Sequence, residues 1–256
     1  LRDSTSVETG INGFLENLNG DIKGMRIGLP KQCFESGLDP DVKENILLMA
    51  KRLEFLGAKV EYIEMPFLKY AVPTYYIIAS AEASSNLSRF DGVKYGFRAE
   101  NFDGIDDMYK ATRSEGFGDE VKKRILLGTF VLSSGYYDAY YRTALKVKSL
   151  IKKGFDEIFS NYDAILCPTT PTTAPNLGDS YTDPLKMYLS DIYTVSVNLA
   201  GLPGLSVPCG LDKNGMPVGA QIIGAPLSDK KILNIGYSYQ QTTDFHKKCP
   251  VEVKVN

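Results

Sequence analysis

An extended segment, a helix and a second extended segment follow one another within the first 65 residues, and that order limits the fold more than any other feature. In MRIGLPK (25–31) the apolar residues Met25, Ile27 and Leu29 alternate as along a half-buried strand, and a domain-edge strand is expected there. Asp39-Pro40 supplies a helix start. Val42, Ile46, Leu47, Ala50, Leu53 and Leu56 then recur at helical spacing until Gly57 stops the pattern. VEYIEM (60–65) reads as the next strand. A strand–helix–strand unit of this kind joins parallel neighbours through a right-handed crossover, so the expectation is an α/β fold.

Further along, an apolar Ala/Ser/Tyr-rich stretch from Leu68 to Phe90 suits a buried helix beginning after a break at Pro73. Residues 91–118 are rich in Gly, Asp and Asn and read as a loose segment. Asp119 is placed to cap a helix over EVKKRILLGTFVLS, and Gly135 separates it from a second helix over 136–159 with Ala144, Val147, Leu150 and Ile151 on one stripe. DAILCPTTP (163–171) returns to strand and runs into a Pro/Thr loop reaching about residue 182. Asp183-Pro184 starts another helix that continues or restarts at Asp191 and ends near Leu202-Pro203. LSVPCG (205–210) and PVGAQIIGA (217–225), joined across Asn214-Gly215, form a hairpin, and Ser228 caps a closing helix. No internal repeat interrupts this order, so one α/β domain, or a piece of one, is expected.

Charge and residue usage remove several function classes. Lys and Arg total 29 against 31 Asp and Glu, and no basic arm stands out, so the chain lacks the electrostatic footprint of a nucleic-acid binder. Cys33, Cys167, Cys209 and Cys249 are far apart with no CxxC, which argues against zinc or a disulfide framework and suits reduced cytosolic thiols. His246 is the single histidine, so Ser-His-Asp or Cys-His machinery would depend on that one side chain, which lies near the C-terminus. The uncharged run Ile125 to Tyr137 is shorter than the roughly 20 residues a membrane helix needs, and no secretory leader opens the chain. The chain starts at Leu1 rather than Met, as expected of a piece cut from something longer.

Complete catalytic motifs are also missing. There is no P-loop, no dinucleotide fingerprint and no G-x-S-x-G elbow. The two S-x-x-K matches, Ser149 to Lys152 and Ser228 to Lys231, sit on or at the start of amphipathic helices beside other lysines and read as structural. Glu82 and the carboxylates Asp103, Asp106 and Asp107 lack the spacing of a calcium loop and read as solvated.

Several longer stretches carry a resemblance. They are YYIIASAEASSNLSRFDGVKYG (75–96), GFGDEVKKRILLGTFVLSSGYYDAYY (116–141), AILCPTTP (164–171), DIYTVSVNLAGLPGLSVPCG (191–210) and PVGAQIIG (217–224). Together they resemble the amidase signature family, and within it the C-terminal half of the glutaminase subunits of tRNA-dependent amidotransferases. PTTP and AGLPGLSVP are general to amidases, whereas the 75–141 block points to the amidotransferase group. DSTS (3–6) resembles the point where the family's catalytic half gives way to this one.

The resemblance implies a truncated α/β amidase signature fold, a mixed β-sheet flanked by helices, in which residues 1–256 form the C-terminal part of a single amidase domain. The family frees ammonia from glutamine with a Ser–cis-Ser–Lys triad in a Gly/Ser-rich segment. No such segment occurs here, so no catalytic residue carries over and the chain alone is expected to be inactive. A desolvated neutral lysine acting through two serines also suits a chain with one histidine.

What the resemblance does carry is glutamine binding. A free α-amino acid presents a carboxylate beside an ammonium, so a selective site needs a cation and an anion. By family matching, Arg124 is the carboxylate clamp, Asp191 the ammonium partner and Tyr75 the aromatic contact, with Tyr76 the neighbouring alternative. Each also has a structural reading: Arg124 as an i,i+4 partner of Glu120, Asp191 as a helix cap, and Tyr75 as core packing. Gln221 is expected to organise sheet and loop hydrogen bonds, and His246 to lie at the surface near a helix end.

The implied partners are amidotransferase subunits B and C and, through them, mischarged tRNA. The resemblance further implies that ATP and Mg act in the partner subunit, that this chain binds no cofactor or metal itself, and that the setting is cytoplasmic. Removal of half a shared sheet predicts an unpaired edge and self-association. The rival readings are an amidase of the same fold acting on another amide and a non-catalytic assembly module.

Overall fold

The computed structural model describes residues 3, 5–10, 13–16, 18–35, 37–178 and 189–249. The helix expected at Asp183-Pro184 lies outside these residues. The chain forms two compact units, one of residues Leu1–Met65, Asp156–Val197 and Gly201–Asn256, the other of Pro66–Phe155 and Asn198–Ala200.

The first unit is built on a five-stranded mixed sheet of order β2-β1-β3-β5-β4. Its strands are β1 (Arg26–Pro30), β2 (Lys59–Ile63), β3 (Ala164–Pro168), β4 (Gly204–Leu211) and β5 (Pro217–Ile223). The crossover expectation holds: β1 pairs in parallel with β2 through helix α1 (Pro40–Phe55), and in parallel with β3 on its other side. The edge position expected of β1 falls instead to β2, whose exposed Lys59 and Glu61 are what an edge strand tolerates. β5 runs antiparallel to both β3 and β4, and the β4–β5 hairpin turns through Gly215 at a positive φ of 81°.

Strand alternation divides the sheet into two faces. Ile27, Leu29, Leu166, Ala220 and Ile222 point to one face, where α1 packs through Val42, Ile46, Met49 and Leu53, and the closing helix through Ile232, Ile235 and Tyr239. Asp39 caps α1 by accepting from the N–H groups of Asp41 and Val42, as its position before Pro40 implies. Ser228 holds the N-cap position of the closing helix as expected, but its hydroxyl makes no capping bond and donates back to the Ala225 carbonyl at 2.7 Å.

The second unit is helical: α2 (Ala71–Leu87), α3 (Gly104–Gly116), α4 (Asp119–Leu132), and α5 (Thr143–Phe159), which belongs to it as far as Phe155. Pro73 does not break α2 but sits in its first turn, where a missing N–H removes no helical bond. The stretch 91–118 contains α3, a helix the polar composition obscures. Its buried contacts are Met108 and Thr112, and the Thr112 hydroxyl accepts the Ala99 N–H, drawing the preceding loop onto the helix. Asp119 begins α4 rather than capping it; Gly118 holds the cap position.

Between α4 and α5 lies a π-helical segment, Tyr137–Arg142, that helical periodicity alone does not announce. In α5 the buried stripe is Ala144, Ile151 and Phe155; Leu150, expected on it, is exposed because it projects about 100° away from Ile151. A short helix α6 (Val195–Ala200) precedes β4, and α7 (Asp229–Gln240) is the closing helix that follows β5. Among the described residues no helix is long and apolar enough to cross a membrane.

Candidate ligand-binding site

In the helical unit, α2 and α4 run side by side in the same direction. Arg124 lies beside Tyr76, Gly128 beside Ser80, and Thr129 beside Ser84, whose hydroxyls are 3.0 Å apart. This close approach needs a glycine at 128, because a Cβ there would collide with the Ser80 carbonyl. One turn earlier the crossing brings the Arg124 guanidinium over the Tyr76 ring, 6.0 Å from its centroid.

The ion pair expected with Glu120 is present, from Arg124 Nε to Glu120 Oε1 at 3.2 Å. Among the described residues it is the guanidinium's one hydrogen bond, so the two terminal nitrogens stay open for a carboxylate. Burial works against the charge, but the bond to Glu120, that carboxylate's charge and the two adjacent tyrosines together keep the pKa above the ordinary arginine value. Tyr75 and Tyr76 meet edge to face with centroids 5.1 Å apart. Tyr76 is therefore the ring under the cation, and Tyr75 supports it from the side. Glu82, on the same helix, accepts a hydrogen bond from the Tyr141 hydroxyl at 3.0 Å, which gives this carboxylate a structural partner.

In the sheet unit, Asp191 opens the turn that leads into α6. Its main-chain carbonyl accepts the N–H groups of Thr194 and Val195 and the Thr194 hydroxyl. The carboxylate does not cap the helix; it is exposed and, among the described residues, accepts no hydrogen bond. Two residues on, Tyr193 is half-buried. Its hydroxyl donates to the Cys33 carbonyl at 3.1 Å, and its own carbonyl accepts from Gln221 Nε2 at 2.9 Å. Gln221 Nε2 also approaches Cys167 Sγ at 3.4 Å. Burial, with the two thiols nearby, pushes the Tyr193 phenol well above its ordinary pKa. The Cys33 thiol is also held high, by its hydrogen bond to Cys167 and by burial.

Gln221 thus organises sheet and loop hydrogen bonds as its position on β5 suggests. Neither the Tyr193 link nor the Cys33–Cys167 pair is visible in the sequence, since the hydrogen-bonded partners of Tyr193 lie 28 and 160 residues away. The signature stretches PTTP and GLSVP also converge here: Thr169 and Ser206 share a hydrogen bond at 2.8 Å over Gly219. The S-x-x-K matches stay structural. Ser149 donates to the Leu145 carbonyl, and Lys231 pairs with Asp163 at 2.7 Å. His246 is exposed in a short 3₁₀ turn. Among the described residues no group of three His, Cys, Asp or Glu could hold a metal.

A five-stranded mixed sheet with helices on one face and a buried glutamine on the other defines an α/β scaffold. The chain belongs to the amidase family, whose model, described as Amidase, matches residues 2–233. It is 62% identical over 240 residues to the A subunit of the glutamyl-tRNA(Gln) amidotransferase of Lachnospira eligens, covering 94% of this chain and 50% of that protein. The protein of the same name from Streptococcus agalactiae is 55% identical over 250 residues, with 98% and 51% covered. The chain therefore spans about half the length of the curated relatives it matches.

Among solved structures, the A subunit of the glutamyl-tRNA(Gln) amidotransferase of Thermotoga maritima is 40% identical and superposes with a TM-score of 0.73 over 94% of this chain and 47% of that one. A bacterial aryl acylamidase of the amidase signature family, 20% identical with a TM-score of 0.70, shares the fold over 91% of this chain and 46% of its own.

Proposed function

We propose that the complete protein is the glutaminase subunit of a tRNA-dependent amidotransferase and that this chain is its C-terminal half. In this reading the protein releases ammonia from glutamine for the conversion of Glu-tRNA(Gln) to Gln-tRNA(Gln). This chain contributes ligand-holding side chains, while the Ser–cis-Ser–Lys nucleophile lies elsewhere in the protein. The α-carboxylate of glutamine is assigned to Arg124, its ammonium to Asp191, and an aromatic contact to Tyr75. The partners are subunits B and C and, through the complex, mischarged tRNA; ATP and Mg act in the partner subunit, and the setting is the cytoplasm. Because β4 is unpaired on one side among the described residues, the isolated chain is also proposed to self-associate.

The observation that carries this reading is Arg124 itself. Its Nε is tied to Glu120 and its face lies over Tyr76, which fixes the fork and leaves two parallel donors for a planar carboxylate. In the complete subunit within its complex, Arg124→Ala is expected to raise KM for glutamine roughly 30- to 150-fold, equivalent to about 2–3 kcal/mol. An unchanged KM would return Arg124 to a purely structural role. This chain by itself is expected to release no ammonia from glutamine, and turnover abolished by a point change within it would reveal a nucleophile on these residues.

A further inference from the structure

Gln221 is 6% exposed, on β5 between β3 and β4. A primary amide there loses water that an apolar side chain of similar size would not miss, so its hydrogen bonds must offset the difference. They do not strengthen the sheet ladder. The Nε2 group donates to the carbonyl of Tyr193, outside the sheet, and contacts the Cys167 sulfur beside it. Tyr193 is then held a second time, through its hydroxyl on the Cys33 carbonyl just after β1. Two bonds to two different strands' surroundings thus pin one residue of an otherwise irregular turn.

That turn carries Asp191. The Asp191 carboxylate has no hydrogen-bonding partner of its own among the described residues, so nothing at the side chain determines where its charge sits. Its main chain is fixed by the bonds from Thr194 and Val195, and these join it rigidly to Tyr193. Position is therefore transmitted from Gln221 to Tyr193 and from Tyr193 to Asp191.

We infer that Gln221 is a positioning residue for ammonium binding: it fixes the 191–194 turn through the Tyr193 carbonyl and thereby sets the location of the Asp191 carboxylate. This rests on the assignment of Asp191 to the ammonium group of glutamine. Gln221 touches no substrate in this arrangement, and Tyr193 is the intermediate.

The test uses the complete subunit in its assembled complex, with glutamine as substrate. Gln221→Met keeps the length of the side chain and removes the donor. It is expected to raise KM about tenfold while kcat stays within about twofold, because binding of the ground state is what loosens. Tyr193→Phe, which removes only the bond to Cys33, is expected to shift KM in the same direction by a smaller factor, and it carries the test should Gln221→Met fail to fold.

The decisive comparison is the double variant. If Gln221 acts through Asp191, adding Gln221→Met to Asp191→Ala raises KM no further. Multiplying effects, or a fall in kcat with KM unchanged, overturn the inference. If Asp191→Ala raises KM while Gln221→Met and Tyr193→Phe do not, the positioning role fails and the ammonium assignment stands. If Asp191→Ala itself leaves KM unchanged, that assignment has failed and the inference falls with it.

Discussion

Gly128 on α4 faces the main-chain carbonyl of Ser80 on α2 so closely that a Cβ on Gly128 would overlap it. The neighbour is backbone, which cannot rotate aside, so the two helices would have to separate. Because Arg124 and Tyr76 stand one turn earlier on the same two helices, that separation would also withdraw the ring from beneath the guanidinium. Gly128→Ala is therefore expected to destabilise the protein by about 1–3 kcal/mol, as overpacking does, and to weaken glutamine binding although residue 128 touches no ligand. Thermal unfolding together with KM in the complete subunit checks both parts.

The other side of the same crossing holds a polar atom with nothing to bond. Ser80 is fully buried, and among the described residues its hydroxyl has no partner. Removing a buried, unsatisfied hydroxyl relieves a desolvation penalty and leaves only a small space. Ser80→Ala is expected to stabilise the protein by about 1 kcal/mol, with the midpoint of urea unfolding as the measurement. Equal or lower stability would show that the hydroxyl has a partner.

How far these features are legible in the sequence depends on how local their causes are. The crossover from β1 to β2 is readable because Ile27, Leu29 and the α1 stripe follow simple periods, and Asp39-Pro40 punctuates them. The hairpin is readable from Asn214-Gly215. α3 escapes such a reading because its inward face is Met108 and Thr112, so half of the stripe is polar. The π-helical segment escapes it because one inserted residue leaves no compositional trace. Arg124 can be nominated from the sequence, and its Glu120 partner is local. That Tyr76 rather than Tyr75 lies under it depends on how two helices 40 and more residues apart cross, which no local pattern encodes. The Gln221–Tyr193–Cys33 chain joins three distant segments and is invisible for the same reason.

The four thiols should separate cleanly by reactivity. Cys33, Cys167 and Cys209 are buried, and Cys249 is exposed. Burial pushes the Cys209 thiol up to about 12, and the hydrogen bond to Cys167 together with burial holds Cys33 high, so thiolate is scarce at both. At pH 8 a disulfide reagent such as dithionitrobenzoate is expected to modify Cys249 alone in the native protein and all four thiols in denaturant. Rapid native modification of Cys167 or Cys33 would contradict the packing around Gln221.

Asp163 gives the sheet unit a defined pH dependence. Burial pushes its carboxyl up, but Lys231 Nζ at 2.7 Å and the Arg26 N–H at 2.9 Å outweigh it, and the pKa lies below the ordinary aspartate value. A carboxyl with a depressed folded-state pKa contributes stability above its unfolded value, near about 3.9, and loses it as pH falls through the folded-state value. Asp163→Asn keeps an acceptor for the Arg26 N–H and removes the charge facing Lys231. The substitution is expected to destabilise the protein at pH 7 by about 1 kcal/mol or less, since the pair is partly exposed. As pH falls below the unfolded value and through the lower folded-state value, the wild type and the variant should converge. Urea unfolding at pH 7, 5 and 3 measures this, and a gap between the two proteins that stays constant across that range would show that Lys231 contributes nothing through the charge of Asp163.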